Sequence, residues 1–281
     1  MRRKNKMTAA SLADAVITHI VLIAVCLLFA FPVIWLVLSA FSKSGSIYDL
    51  DGFFPKAYSM NAYKKLFTDT AMYDYPNWLK NTLFVSVCSS LIGTVLVILT
   101  AYVMSRFEFK MRKPLMKTTL VLSMFPGFMT MTAVYLLMVN FHMINSLWSL
   151  ILIYSASAPM GYLVQKGYFD TISNSIYEAA RIDGASNAKM FLSITLPISK
   201  PMIVYTMLCQ FAWPWSDFIL PSLLLKNKDL WTVAVGLMSL GETEFTRFAA
   251  GAVFIAVPIV ILYFCLSGFL VQGVTAGASK E

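Results

Sequence analysis

The chain alternates between long stretches without charge and short clusters of charged and turn-forming residues. Ala15–Ser42 holds 28 consecutive uncharged residues, Asn81–Ser105 holds 25 and Thr118–Gln165 holds 48. Pro201–Leu225 has 25 residues with a single charge, Asp217, and Phe248–Ser279 has 32 with none. A helix needs about 20 mostly apolar residues to cross the hydrocarbon of a bilayer. The longest run has room for two helices, and Asn140, His142, Asn145 and Ser146 mark a polar break inside it. The pattern therefore predicts an all-α membrane protein with six transmembrane helices, near 17–41, 82–104, 119–139, 147–165, 202–224 and 248–271. The first run is too long for the apolar core of a signal peptide and lacks an A-x-A cleavage pattern, so it reads as a retained helix.

Composition agrees. Hydrophobic residues make up 58% and charged residues 13%, against roughly 45–50% and about 25% in a soluble domain. With a mean hydropathy of +0.71, a soluble fold of this size could not hide its apolar surface. The net charge of +8 is spread as loop charge between apolar runs and forms no basic stripe, so no nucleic-acid partner is expected. The basic residues are unequally divided. Arg2, Arg3, Lys4 and Lys6 precede the first span, and Arg106, Lys110, Arg112, Lys113 and Lys117 follow the second. Lys166, Arg181, Lys189 and Lys200 follow the fourth. By the positive-inside rule both termini lie in the cytoplasm. The expected organisation is a tail at 1–16, a six-span domain over 17–271, an extracytoplasmic loop at 42–80, a cytoplasmic loop at 166–200 and a tail at 272–281. The 42–80 segment is rich in aromatics and turn residues, with a short interfacial helix expected near 60–68.

The loop at 166–200 is too long for a minimal helix–helix connection of 2–8 residues. Ser175 and Glu178 have the spacing of a capping box, which predicts a helix starting at Ile176. Gly184 sits just after Asp183, where a left-handed helix stop is expected. Ser186 can cap a second short helix, and Pro197 and Pro201 end that segment and start the next span. The first helix is too short to be stable alone in water, which makes sense if something docks against it.

The same residues resemble, position for position, the EAA loop of permease subunits of binding-protein-dependent ABC importers. The match comprises Glu178-Ala179-Ala180, then Gly184 after three residues, then Ile194 and Leu196-Pro197. Asp183-Gly184-Ala185 and Phe191 are similar to the carbohydrate branch in particular. Trp213-Pro214-Trp215-Ser216-Asp217-Phe218 and the tail from Val271 through Gln272, Gly273, Thr275 and Gly277 to Ala278 resemble the smaller permease of maltose-type importers. The resemblance implies a coupling helix that fits a cleft on a separate ATPase. There Glu178 would cap the helix or face a basic group on the ATPase. Ala179 and Ala180 would permit close approach, Asp183 would anchor the turn and Gly184 would supply positive φ. The tail would reach between the ATPase subunits. The implied partners are a second, distinct permease, an ATPase dimer, an extracytoplasmic solute-binding protein and a sugar such as maltodextrin, in a bacterial or archaeal cytoplasmic membrane. ATP and magnesium would be bound by the ATPase and no cofactor by this chain.

Other residues offer weaker leads. Asp217 is the lone charge inside a span, which marks a functional candidate because an unpaired charge in hydrocarbon is expensive. It reads as a polar anchor in preference to a proton relay, since no buried basic partner is visible. Trp213, Trp215 and Phe218 could line a sugar path, and Ser155 and Ser157 mark either tight packing or a pore wall. Cys26, Cys88, Cys209 and Cys265 are dispersed over four spans, and His19 and His142 form no metal pair, so no metal site is expected. The chain has no G-x-x-x-x-G-K-[ST] and no catalytic constellation. A secondary carrier, the main rival, would be expected to show paired intramembrane charges or inverted repeats. A membrane-embedded enzyme is the third class.

Overall fold

The computed structural model describes residues 9–49, 52–125, 127–156 and 159–278. These residues form helices and connecting turns, divided into two compact units. One unit comprises the chain up to Thr68 together with Leu240–Val253, and the other comprises Asp69–Ser239 together with the chain from Phe254.

In the first unit, α1 (Ala9–Ala40) is apolar on every side. Side chains as large as Leu28 and Phe29 point away from the protein. A helix of that kind belongs in a core or in lipid. Beyond α1 the chain doubles back through a short antiparallel bridge between Ser42 and Tyr58. The Lys43 amide donates to the Ala57 carbonyl at 2.9 Å and the Ser59 amide to the Phe41 carbonyl at 2.7 Å. Helix α2 (Asn61–Thr68) buries Ala62 and Leu66, one turn apart on one face. The Thr246 amide bonds to the Gly45 carbonyl at 3.2 Å. The Tyr48 hydroxyl donates to the Glu242 carboxylate. That bond, reinforced by the carboxylate charge, holds the phenol above its ordinary pKa.

The second unit is built around α3 (Tyr75–Arg106). This helix begins seven residues before the expected span. Asp74 caps it, its side chain accepting from the Asn77 amide at 3.3 Å, and Pro76 in the first turn needs no amide partner. One face of α3 is a buried seam of small residues, Thr82, Ser86, Ser89, Ser90, Gly93 and Thr94. Small residues let helices approach closely in a membrane, where apolar bulk gives no preference for protein over lipid. After α3 come α4 (Arg112–Ser123) and α5 (Gly127–Asn140). The expected span at 119–139 is thus divided. Met124 and Phe125 are not helical, and in the sequence a proline follows them, which disfavours helical backbone in the residue before it. Next are α6 (Leu147–Ala156) and α7 (Pro159–Asp170). A connector follows, made of α8 (Asn174–Ile182), α9 (Asn187–Met190), a π-helical turn over Phe191–Thr195, and α10 (Leu196–Ile198).

Helix α11 (Lys200–Ser216) stops at Asp217 and Phe218, and α12 (Ile219–Leu224) resumes. The span expected at 202–224 is therefore interrupted. Helix α13 (Val233–Met238) then precedes α14 (Phe245–Ala278). Helices α6, α7 and α11 pack on α3. Ala15–Ala40, Tyr75–Arg106, Leu147–Asp170 and Glu242–Gly268 are long and apolar enough to cross a membrane. A fifth candidate is the α9–α10 segment with α11, two arms bent by 79°.

One end of α3 is held by polar bonds. Asn81 donates to the Asp229 and Trp231 carbonyls at 2.8 and 3.0 Å. The Thr82 hydroxyl accepts from the Val233 amide at 2.8 Å. Beside them the buried Trp78 ring lies directly over Gly236, where a Cβ would fall 2.1 Å from ring carbons. The ring cannot swing aside without leaving its buried site. Gly236→Ala is expected to cost about 1–3 kcal/mol through overpacking, read as a lower melting temperature in detergent. Trp78→Phe in the same chain should restore part of the loss.

Candidate functional site

The connector between α7 and α11 carries most of the residues singled out above. Helix α8 starts two residues earlier than the capping-box spacing predicts. Ser173, with φ −55° and ψ 133°, is the N-cap. Its hydroxyl accepts from the Ser175 amide at 3.3 Å and also meets the Ser175 hydroxyl at 2.7 Å. Ser175 is therefore inside the first turn, and Glu178 lies too far along the helix to cap it. The choice follows from the extended backbone that a cap needs, which Ser173 has.

The stop at the other end of α8 is a Schellman motif. The Ala185 amide reaches back to the Ala180 carbonyl at 2.9 Å, and the Gly184 amide to the Arg181 carbonyl at 3.0 Å. This closure requires a left-handed residue at Gly184, whose φ is +77°. The Asp183 amide bonds to the Ala179 carbonyl at 3.0 Å. Backbone amides hold the turn, and the Asp183 carboxylate makes none of these bonds, contrary to the anchoring expected of it. The Ser186 hydroxyl accepts from the Lys189 amide at 3.3 Å and caps α9.

The motif residues divide between two faces. Glu178, Ala179, Asp183 and Gly184 are exposed, as is Pro197 in α10. Ile182, on the same helix, is 86% exposed. Ala180, Ala185, Phe191 and Leu196 instead pack inward, against a buried cluster that includes Ala101, Tyr102, Phe169 and Tyr177. Phe191 lies 4.7 Å from the Tyr102 ring. The buried Tyr177 hydroxyl meets the Thr195 hydroxyl at 2.7 Å. A helix of two and a half turns thus keeps one face on the protein and offers the other.

Between α8 and the end of α3 lies an open pocket of about 650 Å³. Arg106, Arg112, Arg181, Glu108, Asp170 and Glu178 are among its lining residues. Asp170 accepts from Lys166 at 2.5 Å and from the Ser105 hydroxyl at 2.6 Å. Arg106 turns inward, donating to the Phe169 carbonyl, to the Ile172 carbonyl at 3.1 Å and to Asn174 Oδ1 at 2.7 Å. Its guanidinium stands 4.0 Å from the centre of the Tyr177 ring. In the sequence Arg106 counts only as one basic residue of a cluster, and nothing in the pattern singles it out.

The second group of candidates surrounds the break after α11. The Asp217 carboxylate accepts from the Tyr154 hydroxyl at 2.9 Å and from the Leu220 amide at 3.3 Å. It ties α6 to the start of α12, as a polar anchor does. Trp213 is 62% exposed and Phe218 37% exposed, whereas Trp215 is buried beside Phe211 with ring centres 5.8 Å apart. Ser155 is buried against α3, its Cα 3.5 Å from the Cβ position of Gly93. Trp215 and Ser155 are thus both buried within this chain. Ser157 lies outside the described residues. The backbone of Gln272, Gly273, Thr275 and Gly277 continues α14, and their side chains lie outside the described residues. Among the described residues, no group of three or more His, Cys, Asp or Glu could hold a metal ion.

Helical spans, a two-faced connector helix and the interruption between α11 and α12 define a helical membrane protein in outline. The comparisons give the family. Residues 93–276 match the binding-protein-dependent transport system inner membrane component family. The galactooligosaccharides transport system permease protein GanQ of Bacillus subtilis is 34% identical over 268 residues, 94% of each chain. The maltodextrin transport system permease protein MalD of Streptococcus pneumoniae is 34% identical over 94% of this chain and 95% of its own. MdxG of Bacillus subtilis, also a maltodextrin transport system permease protein, is 34% identical over 97% and 99%. A chain of a bacterial ABC transporter that imports the acidic polysaccharide alginate superposes with a TM-score of 0.77 at 17% identity, covering 94% of this chain and 99% of that one. The chain belongs to the family of inner-membrane permease components of binding-protein-dependent transport systems. It is a multi-pass cell-membrane protein.

Two substitutions test the geometry. At Asp217 the two bonds fall on different oxygens; asparagine can accept from the Leu220 amide through Oδ1 and donate from Nδ2 to the Tyr154 oxygen, so Asp217→Asn should shift the melting temperature little. Asp217→Leu removes the acceptor of the Tyr154 hydroxyl bond and of the Leu220 amide bond and should cost about 1–3 kcal/mol. At Gly184, where φ is positive, an added Cβ meets nothing within 4 Å. Only backbone strain then opposes Gly184→Ala, about 1–2 kcal/mol, and Gly184→Asn should cost visibly less in the same melting assay.

Proposed function

We propose that the chain is the permease subunit of an ATP-driven ABC importer that moves a sugar inward, an oligosaccharide of the maltodextrin or galactooligosaccharide type. The 34% identity to permeases of such sugars over nearly the whole chain supports that substrate class. In this reading the chain crosses the membrane six times, with α4 and α5 together as the third crossing and α11 with α12 as the fifth. Both termini and the connector at 166–200 face the cytoplasm, where the basic residues are denser. The partners are a second permease, two ATPase subunits that bind ATP and magnesium, and a solute-binding protein outside.

The observation that carries the coupling role is the exposed face of α8. Ile182 is 86% exposed on a helix whose opposite face is anchored in the core. An exposed isoleucine beside Ala179, Glu178 and Gly184 suits insertion into a cleft of a separate protein. Burying such a side chain contributes about 1.5–3 kcal/mol. ATP-driven closure of the ATPase pair would then push α8 and switch the paired permeases between inward-facing and outward-facing states. Trp213 and Phe218, the exposed aromatics at the α11 break, are the residues of that segment able to meet a sugar face. Glu178 faces outward and can meet a basic group on the ATPase. The tail beyond Val271 would reach between the ATPase subunits.

The test is purification of the tagged chain from native membranes in mild detergent. A P-loop ATPase and a second permease are expected with it. Ile182→Glu should leave the amount of folded chain unchanged, because the side chain is outside the core, and reduce recovered ATPase at least tenfold, equivalent to about 1.4 kcal/mol. A wild-type chain that purifies alone and transports sugar without ATP hydrolysis would instead establish a secondary carrier.

A further inference from the structure

We propose that Arg106 is the positioning residue that ties the docking helix to α3, so that the two move as one body. The inference rests on the reading of α8 as the ATPase-docking helix and adds the element to which its motion is delivered. Arg106 is the last residue of α3. Its guanidinium binds three points along the stretch from the end of α7 to the start of α8. It takes the Phe169 carbonyl in the last turn of α7 and the Ile172 carbonyl just beyond it, the latter at 3.1 Å. It takes the side-chain oxygen of Asn174, the first residue of α8, at 2.7 Å. It also covers the inner face of the Tyr177 ring at 4.0 Å, one turn into α8.

The chemistry suits arginine and no other side chain. Phe169 is at the C-terminal end of α7, where carbonyls lack helical partners and carry the negative end of the helix dipole. A planar fork with five donors can serve two carbonyls and an amide oxygen while stacking on an aromatic ring. A lysine ammonium can reach some of these oxygens but cannot stack and bond together. The nearby carboxylate of Asp170 is held by Lys166 and Ser105, so Arg106 bonds to backbone and amide oxygens instead. One turn earlier Tyr102 joins α3 to the later part of the connector, its hydroxyl donating to the Asn187 carbonyl at 3.1 Å and its ring lying 4.7 Å from Phe191, while an open pocket of about 650 Å³ separates α8 from the end of α3 around Arg106. Arg106 supplies the polar link by which a force applied to the outer face of α8 reaches the end of α3, beside the apolar packing of Tyr177 on Ala101 and Tyr102. Tyr177 passes it also to the π-helical turn before α11 through its 2.7 Å bond to Thr195.

The assembled transporter in proteoliposomes, with its ATPase, second permease and binding protein, tests this by the sugar imported per ATP hydrolysed. Arg106→Gln should lower that ratio at least tenfold while the ATPase still purifies with the complex. Arg106→Lys should fall between, about threefold down. Asn174→Ala, which keeps the Ser173 cap, should lower it two- to threefold. An unchanged ratio in Arg106→Gln overturns the proposal. So does a Lys variant no better than Gln, with complex, hydrolysis and uptake all falling in proportion, since that is the mark of a purely structural residue. If Arg106→Gln does not accumulate, Arg106→Lys and Asn174→Ala decide by the same ratio. Failure of the underlying reading looks different, because the wild-type chain would then hold no ATPase.

Discussion

The membrane-spanning part of this protein depends on how closely other helices can approach α3. Between Thr82 and Thr94 its buried positions are serine, threonine and glycine, with Val85 the one exception. The Ser155 backbone and the Gln210 side chain come within 3.5 Å of where a Cβ on Gly93 would stand. In hydrocarbon, such packing replaces the solvent-driven burial that holds soluble cores together. Larger side chains along this seam would separate α6, α7 and α11 from their common support. The apolar clusters at either end of α3, one around Leu150 and Tyr154 and one around Tyr102 and Phe169, depend on that closeness.

The same helix gives the connector its place. Helix α8 would be marginal alone at its length. It persists because Tyr177, Ala180 and the residues after Gly184 are bound into the cluster at the C-terminal end of α3. The Schellman closure then turns the chain sharply, so that the outward face of α8 ends in an exposed Ile182 and an exposed glycine turn. A short helix with one anchored face and one free face is what an importer permease needs where a separate ATPase docks. Family membership and the sugars of the related permeases fit that reading, and the geometry explains why the motif mixes exposed and buried residues.

Much of this was legible in the sequence. Uncharged runs locate the apolar segments because hydrocarbon leaves no alternative for them, and the Gly184 stop could be placed because only a left-handed residue closes a helix that way. The failures have physical causes. The cap moved from Ser175 to Ser173 because spacing alone does not say which serine has extended backbone. The Met124–Phe125 and Asp217–Phe218 breaks interrupt segments that hydropathy counts as continuous. Trp215 and Ser155 were candidates for a path, yet both are buried, since an aromatic or a serine in an apolar run has no sign of which way it faces. The buried seam of α3 and the inward turn of Arg106 were missed for a related reason. Small residues score as neutral, and a basic residue at a helix end reads as topology until its partners are known.

In the proposed function the outer face of α8 contacts an ATPase. A photoactivatable cross-linker placed at position 182 in the intact membrane tests it most directly. One covalent adduct with a P-loop ATPase subunit is expected, with a yield that changes when ATP is added. Labelling of lipid or of the chain itself alone, with no ATPase adduct in either nucleotide state, would contradict it.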